Sequence, residues 1–379
     1  MASEFDLSRS MILARDTRGK GLLAQVRDIA SLMWSRRRIT AEEYYRYQLY
    51  DDRRYDAEAR GRFVGDACHL PLIRHTCDIR LWAIADDKIV AHTLLQALGA
   101  PVPQIYALIH PLRIVPQAPT LRNAEEVAGF LRDGATYPFF AKPVSGVRSE
   151  GIHLVRDFDS AADTVEFQDG TTEPVVEFAE RLWKTEGQSK GDGVLLQEVL
   201  VPHPELARLT GPAISGFRVL VVINDEGPKV IGAMWKVIGG DAIADNTWRP
   251  DALLAAIDLD SGKVTRAVQA QGTPGEEVTH HPVTGEALVG AQIPHWSDVI
   301  SLCETYAPMA TKVRFQGWDI AICEGGPVVI EVNTGSSFQL TQLATGEGIA
   351  TPEFDQFVKW ASSVNETSPR GVEALTSRL

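Results

Sequence analysis

Asp319, Glu331 and Asn333 stand on two apolar, strand-like stretches, 318–323 and 327–333, separated by Glu324-Gly325-Gly326. A three-residue turn there would pair Cys323 with Pro327 and bring Asp319 opposite Glu331, with Asn333 two residues along on the same face. Directly opposed carboxylates repel and weaken a sheet unless something offsets their charge. A divalent cation does so. Magnesium takes hard oxygen ligands, commonly one or two carboxylates completed by phosphate oxygens and water. Ile320, Ile322, Val328, Ile330 and Val332 would then form the opposite, apolar face. The plainer alternative is the solvated side of an edge hairpin. On the metal reading, Asp319→Asn or Glu331→Gln leaves the fold intact and relieves repulsion.

Three cationic positions suggest an anion nearby. Lys142 ends the strand-like Phe139-Phe140-Ala141 and precedes a loop of small residues, Ser145-Gly146-Val147-Arg148-Ser149-Glu150-Gly151. Backbone N–H groups of such a loop can approach phosphate closely, and an ammonium adds a point charge. The stretch is not a Walker loop, because the glycine spacing and the Lys-Ser/Thr ending are missing. Taken singly, Lys142 reads more readily as a solvated charge. Arg218 and Lys236 lie on either side of a turn at 224–228 that permits them to face each other. Like cations in that position want an anion between them, such as a triphosphate, and two unrelated surface cations are the alternative. Cys68, His69, His75 and Cys77 match no familiar structural-zinc spacing, and His280-His281 lacks a third ligand. No Ser/His/Asp or Cys/His motif argues for a hydrolase.

The chain that must position these groups has 379 residues, 44% hydrophobic and 23% charged, enough for two or three subdomains. Its net charge of −13 argues against a nucleic-acid surface. Four cysteines do not suggest a disulfide framework. No stretch is apolar enough for a transmembrane helix, and the first ten residues lack a basic-then-apolar leader, so the cytoplasm is expected.

The first 80 residues look helical. Leu22, Leu23, Val26, Ile29, Ala30, Met33 and Trp34 form one stripe at helical spacing, followed by Arg36-Arg37-Arg38. A docked helix is expected, with a membrane-surface helix as the sharper alternative. Residues 81–107 predict strand, helix and strand, the helix starting at Asp86-Asp87-Lys88 and stopping at Gly99. Short strands follow at 137–142 and 152–155, then a hairpin about Asp169-Gly170, a short helix, a mobile loop at 185–193 and a strand at 195–200. Hairpins at 217–232 and 318–333 enclose a looped region and a helix over 296–312. Without regular βαβ alternation, α+β lobes are favoured over one doubly wound sheet.

The order of these segments resembles the ATP-grasp superfamily over roughly residues 87–342. The Asp87-Lys88 helix start with Gly99, Pro101 and Pro103 resembles its first nucleotide element. Lys142 with loop 145–151 resembles the lysine and lid over the phosphates, and Gln197-Glu198-Val199-Leu200 resembles the adenine-holding linker. Asp319, Glu331 and Asn333 resemble the magnesium triad. More narrowly, Gln197-Glu198, His203-Pro204-Glu205, Arg218, Asp245-Asn246 and Gly317-Trp318-Asp319 are similar to a sugar-transfer-associated branch related to glutamate ligases. Thr279-His280-His281-Pro282, Gly285 and Ile293-Pro294-His295-Trp296 are similar to it too.

The resemblance implies an α+β ATP-grasp fold, two lobes clasping ATP, with an N-terminal helical extension. Its parts would be a helical region 1–80, an α/β subdomain 81–135, a lid 136–200 and a catalytic subdomain 201–379. ATP and Mg²⁺ are the implied cofactors. Asp319, Glu331 and Asn333 would hold the metal, and Lys88, Lys142, Ser145, Gly146 and Ser149 the phosphates. Gln197, Glu198, Val199 and Leu200 would hold adenine, and Glu205 or His203 ribose. Arg218, Lys236 and Asn333 would be catalytic, and loop 334–337 would meet the substrate carboxyl. The implied activity is a carboxylate–amine ligase working through an acyl phosphate and releasing ADP and phosphate. Its partners would be a small-molecule acid and an amine or other nucleophile, with no nucleic acid and a homodimer left open. A kinase or a nucleotide-binding regulatory protein are the rival uses of such a scaffold.

Overall fold

The computed structural model describes residues 6–116, 118–145, 151–188, 191–240, 249, 251–271 and 275–366. Six helices open the chain: α1 (Leu7–Arg18), α2 (Leu22–Trp34), α3 (Ala41–Arg46), α4 (Ala57–Gly61), α5 (His69–Thr76) and α6 (Trp82–Asp86). The strand expected near residue 81 is therefore helix. Helix α7 (Lys88–Ala97) begins and ends as its sequence predicts. The Asp87 carboxylate accepts from the Ile89 and Val90 N–H groups at 2.9 and 3.1 Å, and Gly99 takes a φ of 82° beyond the C-cap.

Strands β1 (Ile105–Ile109), β2 (Thr120–Leu121), β3 (Phe139–Pro143), β4 (His153–Asp159), β5 (Thr164–Phe167), β6 (Thr172–Pro174) and β7 (Val194–Glu198) make one seven-stranded sheet, ordered β2-β1-β7-β3-β4-β5-β6. It runs across the boundary expected between residues 135 and 136. Helices α8 (Ala124–Asp133) and α9 (Val175–Gln188) belong to this half and bury Val127, Leu131, Phe178 and Leu182 in its core. Residues 185–188, expected as loop, continue α9.

After α10 (Pro204–Thr210), a second seven-stranded sheet is ordered β12-β11-β10-β9-β8-β13-β14. Its strands are β8 (Phe217–Asn224), β9 (Gly227–Val237), β10 (Leu253–Ile257), β11 (Val264–Gln269), β12 (Glu277–Val278), β13 (Phe315–Cys323) and β14 (Gly326–Thr334). β10 and β11 fall in the stretch expected to be looped. The apolar run Leu253-Leu254-Ala255-Ala256-Ile257 is buried throughout, which favours a strand covered on both faces. Helices α11 (Trp296–Tyr306), α12 (Phe338–Thr345) and α13 (Pro352–Val364) complete this half.

The N-terminal region shares a core with the second sheet, since Tyr44, Tyr47, Leu49, Tyr55 and Phe63 cluster with Met234, Leu254, Val268 and Leu343. Helix α2 docks differently from the expected stripe. Its buried residue is Gln25, with Ile29 and Leu32 packed partly against the core, while Leu23 and Trp34 are 88% and 85% exposed.

Candidate active site

The β13–β14 hairpin turns through two residues, with Cys323 opposite Gly326 and Ile320 opposite Val329. Carried on unchanged, that register would leave Asp319 opposite Ile330 and turn Glu331 to the other face. A bulge at Ile330 absorbs one residue, so Asp319 faces Glu331 and Gly317 faces Asn333. The expected carboxylate pair thus forms by another route than a three-residue loop. The apolar face is corrected accordingly. Val329, opposite Ile320, is buried, whereas Val328 and Ile330 are half-buried.

Asp319 also faces Arg218 across β8 and β13. The Arg218 Nε and Nη2 donate to its two carboxylate oxygens at 2.5 and 2.9 Å, and Lys236 Nζ lies 3.4 Å from Oδ2. Asp319 and Lys236 are 7% and 8% exposed. Burial alone would raise the Asp319 carboxyl, but Arg218 and then Lys236 hold it well below the usual carboxylate range. Arg218 pairs in register with Met234 rather than with Lys236, so the two cations are diagonal neighbours instead of opposites. They meet on an internal acid. This runs against the expectation that an amide at 319 would relieve repulsion, because the acid is already compensated by the half-buried Arg218 and the buried Lys236.

Arg218 Nη1 also donates to Ser336 Oγ at 2.8 Å, and Ser336 is fully buried. Gly317 makes this possible, since a Cβ there would sit 2.6 Å from the Ser336 Cβ. Of loop 334–337, Thr334 is likewise engaged, its N–H donating to Asp86 Oδ1 at 2.7 Å. Next to the loop stands His69, edge-on to Phe338 with centroids 5.5 Å apart. Its Nε2 is buried without a hydrogen-bond partner, and burial pushes its pKa down. Sequence reasoning set His69 beside the cysteines. Instead, Cys68 Sγ faces the Arg36 and Arg37 carbonyls and the buried Cys77 Sγ the Phe315 carbonyl. Among the described residues no three His, Cys, Asp or Glu side chains converge as a metal group. His281 is a buried lock, with Nε2 2.7 Å from the Ile238 carbonyl and Nδ1 accepting from Thr284 N–H.

On the other flank, Lys88 at the start of α7 lies 3.8 Å from Glu331 Oε2. His92, one turn further along α7, lines the same shallow cavity as Lys88 and Glu331, and donates from Nε2 to the Pro103 carbonyl at 2.7 Å. Burial lowers its pKa and the nearby Lys142 lowers it further. Lys88 and Lys142 are thus gathered around one histidine. The i, i+4 spacing from Lys88 was the signal that could have revealed His92. Asn333 shares the acid face, and its Nδ2 is buried without a partner.

The remaining expected residues are less concentrated. Gln197 is buried opposite Phe140, while Glu198 accepts from the Gln104 N–H at 2.9 Å, and Val199 and Leu200 follow the end of β7 half-buried. That segment leads to the second sheet, where the His203 N–H donates to the Ile322 carbonyl. Glu205 is exposed in the first turn of α10. Ser145 is exposed just past β3, whereas Gly146 and Ser149, like Asp245 and Asn246, lie outside the described residues.

A family model described as sugar-transfer associated ATP-grasp matches residues 70–357. No curated protein matches the chain. Among solved structures it is similar to the D-alanine-D-alanine ligase from Coxiella burnetii, at 14% identity and a TM-score of 0.43, over 76% of this chain and 59% of that one. It is also similar to a biotin carboxylase complex from Campylobacter jejuni, at 12% identity and a TM-score of 0.41, over 74% of this chain and 46% of that one. A third is the ATP complex of the D-alanine–D-alanine ligase from Bacillus anthracis, at 13% identity and a TM-score of 0.42, over 76% and 70%. The chain therefore spans less than two thirds of the length of the first two.

Proposed function

The chain belongs to the sugar-transfer-associated ATP-grasp family, whose α+β fold it builds from two sheets and a helical N-terminus, and we propose that it is an ATP- and Mg²⁺-dependent ligase joining a small-molecule carboxylate to an amine. The observation that carries this reading is the Asp319–Glu331 pair on one sheet face, ringed by Arg218, Lys236 and Lys88. Two acids and three cations side by side suit a metal-bound polyphosphate, which needs both signs of charge at close range.

The residues present fit a magnesium ion. Glu331 is half-buried and only loosely paired with Lys88, leaving its oxygens able to ligate. Asp319 retains lone pairs beyond those used by Arg218 and Lys236. Asn333 holds a buried, unpartnered amide atom on the same face, and its amide O and N can exchange places by a simple flip. Bound there, magnesium would neutralise phosphate charge. Lys88 and Lys142 would fix the phosphates, and Gln197–Glu198 with Val199 and Leu200 would hold the base between the sheets. Arg218, pinned by Asp319 and Ser336, would hold the transferring phosphoryl group in place. In the proposed reaction the acid takes the terminal phosphoryl group of ATP, leaving ADP. The amine then displaces phosphate from the acyl group, forms the amide and loses a proton to solvent.

The test is product analysis. ADP and phosphate should appear in equal amounts and only when acid and amine are both supplied, and hydroxylamine with the acid alone should yield a hydroxamate. AMP as the stoichiometric product, or a stable phosphorylated acid, would overturn the reading.

A further inference from the structure

Helix α2 is amphipathic with its apolar side turned outward. At 100° per residue, Leu22, Met33, Val26, Ala30, Leu23 and Trp34 occupy roughly a third of its circumference. Leu22, Leu23, Val26, Met33 and Trp34 are 41%, 88%, 53%, 44% and 85% exposed. Rotation of the helix is not free to correct this. The fully buried Gln25 donates from Nε2 to the Met11 and Lys20 carbonyls at 3.1 and 2.7 Å, and its Oε1 accepts from the Tyr45 hydroxyl at 2.6 Å. Rotating the apolar arc inward would break three hydrogen bonds at a buried amide.

The charge around the arc indicates what covers it. Residues 6–38 carry eight Lys and Arg against three Asp, in a chain of net charge −13. Four of these bases are neutralised by acids: Arg15 by Asp16, Arg18 by Asp51, Lys20 by Asp28 and Asp52, and Arg37 by Asp355. Arg27, next to Leu23 and Trp34 around the helix, and Arg36 and Arg38, just past its C-terminus, are exposed. Their side chains make no ion pair among the described residues.

We propose that α2 lies on an anionic membrane surface, its Leu/Val/Met/Trp arc in the headgroup boundary and Arg27, Arg36 and Arg38 against lipid phosphates. An interfacial helix needs an apolar face, basic residues along its border and an aromatic ring at the level of the headgroups. A second copy of the chain is disfavoured, because a two-fold contact through this face would set the same cations against one another. Among the described residues no helix is long and apolar enough to cross a membrane.

Flotation of the full chain with vesicles decides the matter. Phosphatidylcholine vesicles containing phosphatidylglycerol should carry the protein, phosphatidylcholine alone should carry little, and added salt should release it. Leu23→Glu/Trp34→Glu should cut partitioning about tenfold or more, since it removes the deepest apolar contacts. Arg36→Glu/Arg38→Glu should abolish the preference for phosphatidylglycerol. Thermal melts of both variants should match the parent, because these side chains face solvent. Equal binding to both vesicle types, or full binding by Leu23→Glu/Trp34→Glu, would overturn the proposal. So would a dimer of the parent chain that Trp34→Glu dissociates, for a second copy would then be the occupant.

Discussion

The two seven-stranded sheets hold their charged residues in opposite ways. In the second sheet, buried Asp319 and Lys236 and half-buried Arg218 are held together as one acid between two bases. In the first, Lys142 is half-buried at a strand end and Ser145 is exposed in the turn beyond it. Buried charges are tolerable only when paired, so a site made from them is rigid before any ligand arrives. Lys142, half-buried at its strand end, is less enclosed than Lys236 in the second sheet. One sheet thus encloses an acid and two bases together, while the other leaves its lysine nearer solvent.

The sharpest way to break this contrast is Asp319→Ala. It should cost about 3–5 kcal/mol in a denaturant melt, because Arg218 and Lys236 are left without their acid. A midpoint unchanged from the parent would show that water already solvates the group. Gly317→Ala comes next, at about 1–3 kcal/mol, since the new Cβ meets Ser336 at 2.6 Å and must displace the Arg218 partner.

Acid tests both halves at once. His69 beside the second sheet and His153 in the first have pKa values lowered from 6.5, chiefly by burial. The unfolded chain takes up protons first as pH falls below 6.5, so stability is full above that value and declines below it. His69→Gln or His153→Gln should each flatten the slope of Tm against pH in that window, and an unchanged slope would remove that histidine from the account.

Glu331→Gln separates the metal from the fold. Glu331 is half-buried and 3.8 Å from Lys88, so stability should change by less than about 1 kcal/mol while magnesium-dependent ADP formation disappears. Normal turnover in this variant would sink the metal assignment. Lys142→Ala should likewise change stability by less than about 1 kcal/mol. Its affinity for ATP by calorimetry should nevertheless drop about tenfold or more, as expected for a lost phosphate contact.

Much of this layout is legible in local sequence. Asp87 before Lys88 and Gly99 after the last turn bound α7 because capping is decided within a few residues. The strand-like stretches around 318–333 announce a hairpin for the same reason. Asp319, Glu331 and Asn333 can be picked out by type and spacing, whereas Gln197 and Glu198 enter through the family resemblance. The apolar run at 253–257 was missed because its length does not separate a buried strand from other apolar segments, and only its pairing with β9 and β11 decides. The place of His69 beside the site lies outside local reading because it depends on Phe338 and loop 334–337, which belong to distant elements.

What the sequence by itself determined is therefore the supply of groups: two acids and an amide on one hairpin, lysines at a helix start and a strand end, and an apolar arc on α2. These follow from periodicity, capping and turn chemistry, which act over a few residues. Tertiary structure decided how the groups are used. The bulge at Ile330 turns Glu331 toward Asp319, β8 and β9 bring Arg218 and Lys236 to the same acid, and buried Gln25 points the arc of α2 to solvent. Each of these depends on register and rotation relative to distant partners, and the energy that selects them comes from contacts that no local stretch of chain contains.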